Sequence, residues 1–302
     1  MNINLALFFG IMVSSSLIAR LSIDLLQSKS ALDEVLNELG AAQPPALAIE
    51  LRKLFSYTSA GYSLLGMIYY DLTRSSFGRK QAGIIVAETF TTGCALDDCI
   101  DQGGYPVDKK ISLLRGLHDT ISTGNLSSEY FSPKVHAISL LAQNTHRQLS
   151  YAPKPDLFFQ ASGRVIDFMI RQIQGEQSLS FSEEFGAATM TLPITLPACY
   201  NESVPPHLLE SAKCLGASLQ LTDDVMDYEE DQRQGNCTFM TCASDPSATR
   251  THAQRRSNEL YQKSLDLLSP DERKAIETMS FLSAVHGFLF SNGILKSIKG
   301  LI

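Results

Sequence analysis

The chain has 302 residues, of which 44% are hydrophobic and 19% are charged, so its composition is globular and excludes a disordered protein. The net charge is −7 and no basic stripe is present, which argues against a nucleic-acid-binding protein. The six cysteines form no Cys-x-x-Cys pair and no zinc spacing with histidine, so we expect reduced, mostly buried thiols in a cytoplasmic protein. Much of the acidic charge lies in two short clusters, which suggests a divalent cation rather than a basic protein partner.

The first predicted element is an apolar run of 15 residues, Leu5–Ala19, within an N-terminal helix that we place over residues 1–25. A membrane-spanning helix needs about 20 apolar residues, and a signal peptide carries cations before its apolar run. Here the first cation, Arg20, follows the run. We therefore expect either a buried first helix or a helix in peripheral contact with a membrane surface.

Helical periodicity dominates the rest of the chain, because apolar residues recur three and four positions apart and no segment alternates apolar and polar residues. The segments with this pattern are 45–70, 78–101, 134–150, 156–180, 207–233, 251–268 and 271–298. Ser269–Glu272 has the features of a helix start, with serine as the N-cap and proline at the first helical position. The breaks are too short to be flexible linkers. The pattern predicts an all-α protein in which residues 1–302 form a single domain, an antiparallel helical bundle.

The first acidic cluster lies at the end of the helix predicted over 78–101, where Asp97, Asp98 and Asp101 can share one face. Gly103-Gly104 follows and ends the helix, so the three carboxylates occupy its last turn, at the negative end of the helix dipole. Three like charges are unfavourable there unless a cation is bound. The position therefore predicts a metal site on this helix.

The second acidic cluster follows an apolar helical segment. Asp223, Asp227 and Asp231 are four residues apart, and Gln220 lies one turn before Asp224. The solvent-exposed face of an ordinary helix mixes positive and negative charges at this spacing, whereas the residues at these three positions are all acidic. For either cluster by itself a solvated surface is the simpler explanation, whereas two clusters at ligand spacing favour a metal site.

Carboxylate oxygens at this spacing suit Mg²⁺, which proteins often bind through one or two carboxylates together with substrate phosphates. A diphosphate is the ligand that bridges two such faces, and bound Mg²⁺ makes it a better leaving group. An allylic diphosphate needs no protein nucleophile, because it can leave as a carbocation. The rest of the site must then be an apolar pocket that excludes water.

At these residues the chain resembles the class I isoprenoid synthases. Asp97-Asp98-x-x-Asp101 is similar to their first aspartate-rich motif, and the segment 215–231 is similar to their second. The resemblance implies a helical bundle around one deep apolar pocket, with three Mg²⁺ ions at its mouth. The implied metal ligands are Asp97, Asp98, Asp101, Asp223, Asp224, Asp227 and Asp231, of which all but Asp224 and Asp231 are also expected to be catalytic.

The second motif combines features of three groups of these enzymes. Gln220 with Asp223-Asp224-x-x-Asp227 resembles the trans-prenyl diphosphate synthases, whereas Leu219–Thr222 and Glu230-Asp231 resemble squalene and phytoene synthases. The spacing of the acid ladder is that of the terpene cyclases. The basic segment with which chain-elongating synthases bind isopentenyl diphosphate is missing, and only Lys109-Lys110 stands near the place of their arginine pair.

The resemblance leads us to expect a Mg²⁺-dependent terpene synthase that ionises an allylic prenyl diphosphate of fifteen carbons or longer and releases diphosphate and a terpene. A prenyltransferase, either squalene/phytoene-like or chain-elongating, is the alternative. A regulatory subunit without activity is a third class, against which two intact acid clusters argue. The expected partner is the prenyl diphosphate; no nucleic acid is expected, and a homodimer is left open.

Three polar residues are candidates for contacts with the substrate in addition to Gln220. Arg171 and Gln174 are three residues apart on one predicted helix, and an arginine suits the oxygens of a diphosphate. The alternative is that Arg171 forms a surface pair with Asp167. Arg233 is a weaker candidate for the same task.

Thr92 and Gly93 precede Asp97 by about one helical turn. In the resembling synthases bulky residues at this place form the floor of the pocket and limit the length of the chain. The small residues therefore imply a deeper pocket, unless Gly93 only permits close packing of helices.

Overall fold

A computed structural model describes residues 30, 32–35, 37–54, 57–73, 78–102, 104–126, 132–200, 202–236 and 238–277, and the side chains within these ranges except those of 57–64, 101–102 and 234. No residue in these ranges lies in a β-strand. The prediction of an all-α fold is therefore confirmed. The helices are α1 (Pro45–Leu54), α2 (Tyr57–Thr73), α3 (Arg79–Gln102), α4 (Val107–Thr123), α5 (Pro133–Leu149), α6 (Asp156–Ile173), α7 (Leu179–Ile194), α8 (Leu196–Cys199), α9 (Pro206–Met226), α10 (Tyr228–Gln234) and α11 (Pro246–Asp266).

The helices pack in two groups, one around α3 and one around α9. α3 packs against α1, α2, α4 and α5, while α9 packs against α7, α10 and α11. α2 and α7 pack against each other and join the two groups. The shared core includes the fully buried side chains of Leu51, Ile85, Leu114, Leu141 and Leu149. The two helices that carry the acidic clusters are thus held within one bundle.

Side-chain caps fix where several helices begin. The Ser178 hydroxyl accepts a hydrogen bond from the Phe181 amide at 3.0 Å and so begins α7, and Asp245 accepts bonds from two amides at the start of α11. Residues 270–277 are helical, and Glu272 accepts a bond from the Ser269 amide at 2.8 Å, in agreement with the predicted helix start. Caps of this kind contribute about 0.5–2 kcal/mol each.

α7 and α9 approach each other closely because each carries a glycine at the crossing. A Cβ on Gly186 would collide with the carbonyl oxygen of Gly216, and a Cβ on Gly216 would collide with that of Gly186. Only glycine permits such a backbone approach. The contact positions the end of α9, where the second acidic cluster begins about two turns after Gly216.

Some helices differ from those that periodicity predicts. α4 is an amphipathic helix that lies outside the predicted segments, although Ile111, Leu114 and Leu117 have helical spacing. α7 is rich in apolar residues and its polar residues are not confined to one face, so its sequence has no amphipathic stripe that periodicity could detect. The segment predicted as one helix over 207–233 is divided at Asp227 into α9 and α10.

None of the helices in the described ranges has the length and apolar character that a membrane span requires. The apolar run Leu5–Ala19 and most of the predicted helix over 271–298 lie outside the described residues. Among the described cysteines Cys199 and Cys214 are buried and Cys99 is half-buried, whereas Cys94 and Cys242 are exposed, so the expectation of mostly buried thiols is met only in part.

Candidate functional site

The first acidic cluster occupies the last two turns of α3. Asp97 and Asp98 are both exposed. Asp101 belongs to the same helix, but its side chain lies outside the described part of the structure. Two of the three predicted ligands of this cluster are therefore accessible to solvent and to a cation.

The α3 surface one turn before Asp97 is open at Gly93 and closed at Thr92. A Cβ on Gly93 would meet no atom within 4 Å. Thr92 is fully buried, and its hydroxyl donates to the Thr89 carbonyl oxygen of the same helix at 2.7 Å. Gly93 therefore borders free space, whereas Thr92 packs inside the bundle.

The second acidic cluster spans the junction of α9 and α10. Asp227 ends α9, where its amide donates to the Asp223 carbonyl oxygen at 2.9 Å, and the Asp231 amide donates to the Asp227 carbonyl oxygen at 2.8 Å. The helical hydrogen-bond spacing thus continues through the junction. Asp223 and Asp227 are exposed and Asp231 is half-buried.

The two clusters influence each other electrostatically. The pKa of Asp223 is raised to about 7, first by desolvation and then by the charges of its neighbours Asp227, Asp224 and Asp231. Asp97, on α3, raises it further. Asp223 reaches solvent but is surrounded by protein on several sides, so it is accessible and desolvated at once. Carboxylates of α3 and α9 therefore share one acidic region.

Asp224 points away from this acidic region into the protein. Its side chain is 6% exposed, and Oδ1 accepts a hydrogen bond from Gln220 Nε2 at 3.0 Å. Burial raises the pKa of Asp224 to about 6, although the Ser182 hydroxyl and Gln220 lower it. Despite the nearby Ser182, Oδ2 has no partner of hydrogen-bonding distance and angle among the described residues.

Asp224 and Gln220 line a small polar recess behind the acidic region. The other polar residues of its lining are Glu176, which is paired with Arg171, together with Gln172, Gln177, Ser182 and, from the loop after α10, Thr238. Its cavity volume is about 10 Å³, which is the space of one water molecule. The residues that line this recess could not be identified from motif spacing, because they come from four separate parts of the chain.

A second cavity of about 10 Å³ lies between α3, α4 and α5, where Leu96, Leu117 and Ile138 contribute to its lining. It is enclosed mainly by apolar side chains. Neither cavity has the volume of a prenyl chain. The face of α9 beside Asp223 is instead open, since Leu219 is 43% exposed and Met226 is 61% exposed.

Arg171 is engaged within the chain. Its guanidinium forms a two-point ion pair with Glu176, at 2.5 and 2.8 Å, and lies over the rings of Phe168 and Phe181 at 4.9 and 5.2 Å from their centroids. Asp167, the expected surface partner, is more distant at 4.0 Å. Contact of Arg171 with a diphosphate stays a prediction.

The other two polar candidates lie at the surface. Gln174 is exposed at the end of α6. Arg233 is exposed on α10, where it pairs with Glu230 and donates to the Glu229 carbonyl oxygen at 3.2 Å. Their roles in substrate binding also stay predictions.

The acids fit a hard divalent cation in chemistry, although they do not form a complete site by themselves. Among the described residues no three carboxylates, histidines or cysteines are arranged to hold a metal ion. Mg²⁺ does not require such a group, because it commonly takes one or two carboxylates and completes its shell with water and substrate phosphates. The mutual repulsion of the carboxylates around Asp223 is what a bound cation would remove.

Comparisons with known proteins show similarity in fold but not in sequence family. No protein-family model matches the sequence, and no curated protein matches it. Among solved structures, the fold is similar to the crystal structure of a geranyltransferase from Legionella pneumophila, with a TM-score of 0.51 and 13% sequence identity. The match covers 87% of this chain and 95% of that chain, so the two proteins share the helical bundle over nearly its whole extent.

Proposed function

We propose that this chain is a Mg²⁺-dependent enzyme that binds the diphosphate of an allylic prenyl diphosphate between α3 and α9 and transfers the prenyl group to an acceptor. The observation that carries the proposal is that Asp97 lies close enough to Asp223 to raise its pKa, although the two residues are 126 positions apart in the chain. Two separate acidic surfaces would not influence each other in this way.

Each acidic group has a distinct task in this proposal. Asp97, Asp98 and Asp101 would hold Mg²⁺ from the side of α3, and Asp223 and Asp227 would hold it from the side of α9, with Asp231 next to them. When bound, Mg²⁺ neutralises the diphosphate and favours its departure. Asp224 is buried and hydrogen-bonded to Gln220, so it supports this end of α9 from within.

The apolar part of the substrate is proposed to lie along the open surfaces beside the acids. Leu219 and Met226 are exposed next to Asp223, and Gly93 borders free space one turn before Asp97. Exposed apolar side chains at the edge of an acidic site are typical of a ligand-binding surface. A prenyl chain of fifteen carbons or longer would cover them.

Transfer is our leading proposal because the similar fold belongs to a geranyltransferase. A terpene synthase, which the resemblance of the motifs leads us to expect, is the second candidate. The missing basic segment for isopentenyl diphosphate favours it, since a cyclase needs no second diphosphate. The two candidates require the same metal-bound diphosphate and differ in what captures the carbocation.

The deciding experiment is incubation of the chain with ten-, fifteen- and twenty-carbon allylic diphosphates and Mg²⁺, with and without isopentenyl diphosphate. A product that requires isopentenyl diphosphate, or one with twice the carbon number of the allylic substrate, supports a transferase. A product with the carbon number of the allylic substrate, formed without isopentenyl diphosphate, supports a terpene synthase. Release of diphosphate is measured in parallel, with EDTA as the control. No diphosphate release with any substrate, despite a folded chain, would contradict both candidates.

A further inference from the structure

The polar recess behind Asp224 has features of a binding site that the proposed function does not use. We call this space, lined in part by Gln172, Gln177, Ser182, Gln220, Asp224 and Thr238, the Asp224 recess. Its volume of about 10 Å³ is enough for one water-sized species. It lies on the inner side of α9, away from the exposed carboxylate of Asp223.

Asp224 is incompletely satisfied in this recess. Its side chain is 94% buried (100 − 6), Oδ1 is bound by Gln220, and Oδ2 has no hydrogen-bond partner among the described residues. A buried carboxylate oxygen without a partner is costly, and such atoms usually mark a bound water, ion or proton. The orphaned oxygen therefore points to an occupant of the recess.

The chemistry of the lining favours a cation of single charge. Two carboxylates contribute to the lining, but that of Glu176 is held in a two-point ion pair with Arg171, so only the charge of Asp224 remains to be balanced. The neutral oxygens come from the Ser182 and Thr238 hydroxyls and the glutamine amides. No histidine or cysteine contributes to the lining. Mg²⁺ demands octahedral geometry and keeps several of its waters, so it does not fit a space of this size. A dehydrated alkali cation is comparable in size to a water molecule and balances one carboxylate.

We propose that the Asp224 recess binds one monovalent alkali cation, K⁺ or Na⁺, with Asp224 as its anionic ligand. The cation would join the end of α6, the start of α7, α9 and the loop after α10, because each of them contributes a side chain to the lining. It would thereby hold the second acidic cluster in place from behind. The proposal needs no prenyl substrate and is independent of the proposed function.

The test is the melting temperature of the full chain without substrate, in EDTA and at constant ionic strength, as KCl or NaCl replaces choline chloride. Choline is too large for the recess and controls for general effects of salt. We expect a saturable rise of about 2–4 °C in K⁺ or Na⁺ at ten times the dissociation constant. The same melting curve in all three salts would overturn the proposal.

Matched variants assign the effect to the recess. Asp224→Asn is expected to abolish the cation-dependent rise, while Asp223→Asn, a change at the neighbouring exposed acid, retains it. Ser182→Ala weakens the apparent cation affinity several-fold, whereas Ser180→Ala, at an exposed serine, leaves it unchanged. If Asp224→Asn fails to fold, the comparison of Ser182→Ala with Ser180→Ala tests whether the cation binds in the recess. The proposal is contradicted if the rise survives in Asp224→Asn or is lost in Asp223→Asn. It is also contradicted if the two serine variants have the same apparent cation affinity.

Discussion

Gly186 on α7 and Gly216 on α9 are in such close backbone contact that a Cβ on either would collide with the carbonyl oxygen of the other. The contact lies less than two helical turns before Gln220 and Asp223 on α9. It therefore determines how α9 lies against α7, and with it where the second acidic cluster lies.

Gly216→Ala is expected to lower the stability of the chain by about 1–3 kcal/mol, because the new methyl group meets backbone that cannot move without displacing a helix. Gly93→Ala is the matched control, since it lies inside α3 but borders free space. There alanine is expected to stabilise the helix by about 0.5–1 kcal/mol. Denaturant unfolding of both variants checks this prediction, and equal effects at the two positions would contradict it.

Glu88 is expected to make stability depend on pH. It is fully buried between α3 and α5, and burial raises its pKa to about 8, although Asn144, Thr145 and Gln148 donate hydrogen bonds that lower it. Between about pH 4.5 and 8 the folded chain thus holds a proton that the unfolded chain has released. The free energy of unfolding therefore falls as pH rises through this interval, by up to about 1.4 kcal/mol per pH unit.

Glu88→Gln removes this titration, so its free energy of unfolding is expected to change less between pH 5 and 8 than that of the wild type. Glu229→Gln, a change at an exposed glutamate on α10, is the control and should retain the wild-type slope. Urea unfolding at several pH values measures both slopes. A wild-type slope in a folded Glu88→Gln variant would show that Glu88 is already ionised in the folded chain.

Asp223→Asn is expected to raise the melting temperature in EDTA. The carboxylate is partly desolvated and is repelled by Asp227, Asp224, Asp231 and Asp97, and the amide removes that repulsion. With Mg²⁺ and inorganic diphosphate present, the wild type is expected to have the higher melting temperature, because it gains a bound ligand that the variant lacks. A lower melting temperature for the variant in EDTA would mean that the carboxylate stabilises the metal-free fold.

Gly93→Phe is expected to shift the preference of the enzyme toward shorter allylic diphosphates. The benzyl group would fill the free space beside Gly93, whereas a large residue at Thr92 would disrupt the core. Relative rates with ten-, fifteen- and twenty-carbon substrates test this, with Gly93→Ala as the control. An unchanged length preference in a folded Gly93→Phe variant would show that the prenyl chain does not reach this surface.

Much of the helical framework follows from the sequence, because an amphipathic helix such as α6 has a clear apolar stripe. α7 could not be predicted in this way, since its apolar residues are spread around the helix and form no stripe. The acidic clusters follow from spacing along one helix, whereas the closeness of Asp97 to Asp223 depends on how the two helices lie in the bundle.

Contacts between distant parts of the chain cannot be predicted in this way. The ion pair of Arg171 with Glu176 depends on the turn after α6, and the sequence pointed to Asp167 instead. The burial of Asp224 depends on how α7 packs against α9 at the glycine crossing. A motif defines residue types and spacing, but the neighbouring helices decide which of two adjacent aspartates is exposed.

The most direct test of a shared metal site is calorimetric binding of inorganic diphosphate with Mg²⁺ and with EDTA. We predict that the wild type binds only with Mg²⁺, and that Asp97→Asn and Asp223→Asn each weaken binding by about 100-fold or more, because each removes a ligand of one metal–diphosphate complex. Asp119→Asn, at an exposed acid of α4, is expected to bind like the wild type. Binding that persists in EDTA, or that needs only one of the two acidic clusters, would contradict a site shared between α3 and α9.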